Sequence, residues 1–119
     1  MNDRETTVGE LRELVRHFVA EREWQPFHDA KNLSMSIAIE AAELMEHFQW
    51  VRSERIADAL GDPALHDAVR DELADVVCYV LALANVADID VAAAVARKMQ
   101  KNSAKYPAGE FRGRYEKPR

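Results

Sequence analysis

Two acidic pairs in this sequence stand where charge is costly. Glu40 and Glu43 are three residues apart, and Ser36, Glu40, Glu43, His47 and Trp50 would follow one stripe of a helix whose other faces are apolar. Glu72 and Asp75 repeat the spacing, with Tyr79 one turn further, inside a segment that is apolar from Leu73 to Leu83 apart from these side chains. If the two helices pack antiparallel, four carboxylates converge in a low-dielectric groove and repel one another unless a cation neutralises them. Such an oxygen donor set, with no Cys/His cluster beside it, suits Mg2+ rather than zinc. A di-iron carboxylate site would use Glu-x-x-His, whereas His47 stands four residues after Glu43 and the second pair has no histidine counterpart. The bland alternative for an isolated pair is a solvated face or a network with Arg and Lys, but neither stripe carries an adjacent base.

The elements that must position these pairs are helical. The chain has 119 residues with only four Gly and four Pro, and its threonines are Thr6 and Thr7 alone, so strands would lack their turns. Thr7-Val8-Gly9-Glu10 has the form of a capping box, followed by Leu11, Leu14, Val15, Phe18 and Val19 at helical spacing. That predicts a first helix to about residue 22, then an aromatic loop around Pro26. Asn32 is read as the cap of a second helix running from Leu33 to about Val51. Gly61-Asp62-Pro63 reads as stop, cap and first position of a third helix reaching about Asn85, and Asp88 or Asp90 can cap a fourth that ends near Lys105. Apolar residues on so many helical faces predict a homo-oligomer.

At 48% hydrophobic and a net charge of −5, the chain reads as one soluble domain. The acidic balance argues against nucleic-acid binding, and no apolar run approaches the ~18 residues of a membrane span, so a cytoplasmic location is expected. Cys78, the single cysteine, sits among Val76, Val77 and Val80 and reads as a small buried hydrophobe. The glycines are not spaced as a phosphate loop, so phosphates must be held by metal and side chains.

Glu40-Ala-Ala-Glu43, then 28 residues, then Glu72-Leu-Ala-Asp75 resembles the ExxE…ExxD signature of the MazG-like all-α nucleoside triphosphate pyrophosphatases. Lys101-Asn102 and Lys105-Tyr106-Pro107 resemble that family's later basic motif. Glu23-Trp24, Phe27-His28, Lys31-Asn32-Leu33, Leu44 with Phe48-Gln49-Trp50, and Tyr79 are similar to its dCTP pyrophosphatase branch. The resemblance covers nearly the whole chain. It implies an all-α, four-to-five-helix bundle over residues 1–106 with a polar tail at 107–119, its core completed in a dimer or tetramer. It further implies Mg2+-dependent hydrolysis of a nucleoside triphosphate, dCTP or a modified dCTP, to the monophosphate and pyrophosphate. A broader house-cleaning hydrolase acting on dUTP or damaged triphosphates, and a non-catalytic helical oligomerisation module, are the alternatives.

On that resemblance Glu40, Glu43, Glu72 and Asp75 are the metal ligands, and Glu43, with Glu40 beside it, is the catalytic carboxylate. Trp24, Phe27, Trp50 and Tyr79 would form a slot for base and sugar, with core packing as the alternative for each. His28 would bond the base or a phosphate. Lys98, Asn102, Lys105 and Tyr106 would meet the phosphates, the alternative being a solvated helix end. His17, His47 and His66 are read as structural, His47 standing nearest the metal ligands. The branch can place a histidine on the inner face of the first helix; here the periodicity puts Val15 there.

Overall fold

The computed structural model describes residues 1–116, and every regular element among them is helical. The helices are α1 (Val8–Glu21), α2 (Ala30–Glu46), α3 (Ile56–Leu60), α4 (Pro63–Ala87), α5 (Val91–Lys105) and α6 (Ala108–Phe111), with 3-10 turns at Gln25–Phe27 and Ser53–Arg55. They form two compact units, Met1–Asp88 and one beginning at Ile89. No single helix among the described residues is long and apolar enough to cross a membrane.

Capping decides where these helices start. Thr7 accepts from the backbone N–H of Glu10 while its own N–H donates to the Glu10 carboxylate, the reciprocal pair the sequence predicts. Asp62 precedes Pro63 at the start of α4, and the Asp90 side chain accepts from Ala93 N–H at the start of α5, leaving Asp88 to end α4 in a left-handed conformation. The start of α2 departs from the sequence expectation. Asp29, not Asn32, is the cap: its carboxylate accepts from Asn32 N–H at 2.8 Å, so the helix begins at Ala30, and the Asn32 amide donates to the Phe27 carbonyl. The helix also ends at Glu46, where Phe48 and Gln49 N–H both return to the Met45 carbonyl in a tightened turn.

α1 ends in a Schellman motif. Glu23 N–H returns to Ala20 and Trp24 N–H to Val19, with Glu23 at φ 53°. This turn folds Trp24 back onto α1, edge-on to Phe18 at 5.7 Å between ring centroids. Glutamate is a poor occupant of a left-handed position. Glu23→Gly should raise stability by about 0.5–1 kcal/mol, the ~1–2 kcal/mol left-handed penalty less glycine's extra chain entropy, checked by urea unfolding.

In the first unit α4 is the central helix, packed against α2, α1 and α3. The C-terminal part of α2 meets the N-terminal half of α4 at His47 and Glu72, the sense of an antiparallel pair. The core is small: Leu33, Leu81, Ala82 and Ala84 are the buried hydrophobics among the described residues. Met35, Ile39 and Met45 on α2 and Leu73, Val77 and Val80 on α4 stay exposed. Cys78 is exposed as well, contrary to the expected buried position, because its side of α4 borders a cavity rather than the core.

In the second unit, the segment expected as a polar tail from residue 107 holds α6, whose Phe111 ring meets Tyr106 edge-on at 5.2 Å. The end of that tail, residues 117–119, lies outside the described residues.

Candidate active site

Helical spacing puts Glu40 and Glu43 on one side of α2, and antiparallel packing brings Glu72 of α4 against them. One carboxylate oxygen from each of the three lies within 4.8 Å of the others. Oε2 of Glu40 and Oε2 of Glu72 are shut off from solvent and have no hydrogen-bond partner. An unsatisfied buried oxygen costs free energy that a bound cation would recover. Among the described residues no lysine or arginine forms an ion pair with Glu40, Glu43, Glu72 or Asp75; His47 Nε2 stands 4.0 Å from Glu72 Oε1. Oxygen-only donors, crowded and unpaired, are the donor set of a hard divalent cation.

The electrostatics agree with that geometry. The Glu43 carboxyl beside it, burial, and the charge of Asp75 push Glu40 from its ordinary 4.5 up to about 7. Burial, followed by the charge of Glu43, raises Glu72 in the same direction. Asp75 acts on both from one helical turn along α4, and its side chain is exposed. The acidic centre is thus three close carboxylates with a fourth at its edge, rather than four equivalent ones.

Asp75 also lines a cavity of about 580 Å³ between α1, α4 and the Trp24 loop. Trp24, His28 and Tyr79 line it too, with Leu14, Phe18 and Val19 supplying apolar wall. The Trp24 and His28 rings lie 6.5 Å apart. This size is ordinary for a small-molecule pocket, and aromatic walls with the Asp75 carboxylate among them suit a ligand with a flat apolar part and an anionic part carrying metal.

Two expected members fall outside it. Trp50 is 88% exposed because α2 stops at Glu46, which breaks the stripe that would have carried the indole into register with Glu40 and Glu43. Phe27 is 66% exposed in the 3-10 turn and does not line the cavity. Lys98, Asn102 and Lys105 lie on α5 and Tyr106 caps its end, all in the second unit; the Lys105 ammonium sits 5.4 Å over the Tyr106 ring. Leu14, Phe18 and Val19 were visible in the sequence only as the apolar face of α1, a pattern that core and pocket wall share.

A profile of the MazG-like family matches residues 35–117. dCTP pyrophosphatase 1 of Bos taurus is 37% identical over 109 residues, covering 92% of this chain and 64% of that protein. The Homo sapiens protein of the same name is 38% identical over 104 residues, covering 87% and 61%. The chain therefore spans less than two thirds of the length of these relatives. A crystal structure of a pyrophosphatase from Archaeoglobus fulgidus DSM 4304 superimposes with a TM-score of 0.80 at 42% identity, covering 90% of this chain and 98% of that one.

Proposed function

Because the chain belongs to the MazG-like family, we propose that it is a Mg2+-dependent pyrophosphohydrolase that cleaves dCTP, or a modified dCTP, to the monophosphate and pyrophosphate in the cytoplasm. The observation that carries this reading is the pair of buried, unpartnered carboxylate oxygens on α2 and α4, next to an aromatic-walled cavity of nucleoside size. The names of the relatives and of the superimposed structure support it.

In this reading Glu40, Glu43 and Glu72 hold the cation, with Asp75 completing the set. Bound there, Mg2+ supplies charge neutralisation on the phosphate oxygens and acidifies water. Glu43 accepts the proton of the water that attacks the α-phosphorus. As the new phosphorus–oxygen bond forms, the bond to the bridging oxygen breaks, and pyrophosphate leaves with the electron pair. Trp24 and Tyr79 offer their π-faces to base and sugar, and Leu14 and Phe18 keep that end of the pocket dry.

The test is pyrophosphate release from the four common deoxynucleotides, dUTP and the ribonucleotides, each with Mg2+ and with EDTA. Metal-dependent release confined to dCTP is the expected result. Release from several triphosphates moves the function to a broader house-cleaning hydrolase, and release of inorganic phosphate instead of pyrophosphate counts against the reaction. The exposed apolar faces of α2 and α4 support a homo-oligomer, dimer or tetramer. Light scattering on the eluted protein should give at least twice the 13.5 kDa chain mass, and a stable monomer removes that part of the reading.

A further inference from the structure

The aromatic cavity does not end the trough along α4. A second cavity of about 300 Å³ adjoins it, sharing Val15, Val19, His28 and Ala82 as walls. Asp75, Tyr79, Ala82 and Val86 follow one face of α4 at successive turns, with Asn85 beside the last. At the helical rise of 1.5 Å per residue, Asp75 to Asn85 spans about 15 Å. A nucleotide whose α-phosphate lies by Asp75 and whose sugar crosses Tyr79 carries its base edge toward the second cavity.

That cavity has the polar groups the first lacks: Arg16, Gln25 and Asn85 join His28. Stacking surfaces accept any base, so choice among bases must come from such groups. Asn85 is fixed at both ends of its amide. Its Oδ1 accepts from Arg12 Nε at 2.9 Å and from an Arg16 guanidinium N–H at 3.1 Å, while its Nδ2 donates to the Arg12 carbonyl at 3.1 Å. Arg16 is thereby tied to α4 from α1, and an ion pair with Glu13 holds it from the other side. A guanidinium has five N–H donors and no acceptor, so what it presents to the cavity is donors only.

We propose that Arg16, held by Asn85, reads the pairing edge of the base and admits one with adjacent acceptors there, as cytosine has at N3 and O2. Uracil and thymine carry a hydrogen on N3, which meets a donor and leaves both unpaired. Gln25, in the same cavity, offers an acceptor for the 4-amino group. Val15 lines both cavities and supplies no polar atom, so the donors on the α1 wall come from Arg16. The inference rests on the pyrophosphohydrolase reading and says which residues choose the base.

The experiment is steady-state pyrophosphate release from dCTP and dUTP with Mg2+ for the wild type, Arg16→Ala and Gln25→Ala, with circular dichroism on each. The wild type should prefer dCTP. Arg16→Ala should lower the dCTP-to-dUTP ratio of kcat/KM by about 10–100-fold, chiefly through KM for dCTP, the effect of losing a charged hydrogen-bond donor. Gln25→Ala should lower it less, and decides in the same sense if Arg16→Ala does not fold. A wild type indifferent to the two bases, or variants whose ratio is unchanged, overturns this inference while the reaction stands. A wild type that releases pyrophosphate from no triphosphate overturns the reaction and the inference together.

Discussion

Glu43→Gln should lower pyrophosphate release from dCTP by about 10²–10⁴-fold, the usual contribution of a positioned general base, while leaving the helical fold in place. The isosteric amide keeps the shape of the α2–α4 contact and removes both the proton acceptor and one charge of the cluster. That charge is a cause of the raised affinity of Glu40 and of Glu72 for protons, so both neighbours should ionise more easily in the variant. Cation-free stability should consequently rise, because a repulsive contact has gone and, among the described residues, Glu43 has no ion pair with a base to lose. Activity and stability thus move in opposite directions. A structural acidic network predicts the reverse, a lower melting temperature with turnover little changed, so one assay and one melt on the same sample decide between them.

The parts legible in the sequence were those set by local chemistry. Thr7 with Glu10, and Asp90, announce helix starts because a side-chain oxygen three residues before an orphan N–H is a local pattern, while the start at Asp62 is marked by Pro63, whose fixed φ and missing N–H suit the first helical position. The Glu40–Glu43 and Glu72–Asp75 spacings gave the acidic centre for the same reason. The end of α2 was not legible, since His47 to Trp50 contains neither Gly nor Pro and a continuing stripe fits the composition equally well. The continuous stripe that put Trp50 in register with the acidic pairs followed from that overrun. Cys78 failed differently: valine neighbours mark an apolar face but cannot say whether it meets core or cavity. The Arg16–Asn85 contact joins residues 69 positions apart in different helices, and no periodicity within either helix encodes it.

Removing divalent cation should make the protein progressively less stable as pH rises from 5 to about 7, and adding Mg2+ should reverse most of that loss. In the cation-free fold Glu40 takes up its proton at about 7, against 4.5 ordinarily, so between these values the folded chain binds more protons than the unfolded one. Stability then falls with pH across that window: the contribution is full below 4.5 and gone above about 7, and Glu72 adds to it with the same sign. A cation bound by these carboxylates displaces the proton, so its affinity climbs over the same range and levels off above about 7. At a concentration one hundred times its dissociation constant, a ligand of the folded state adds about 2.7 kcal/mol. Melting curves in EDTA and in Mg2+ at pH 5, 6, 7 and 8 should therefore diverge from pH 5 to 7 and keep nearly the same separation from 7 to 8. Glu40→Gln should flatten the EDTA series, since its amide has no proton to lose. Parallel curves in the two conditions would mean that these carboxylates do not bind the cation, and the hydrolytic function would lose its centre.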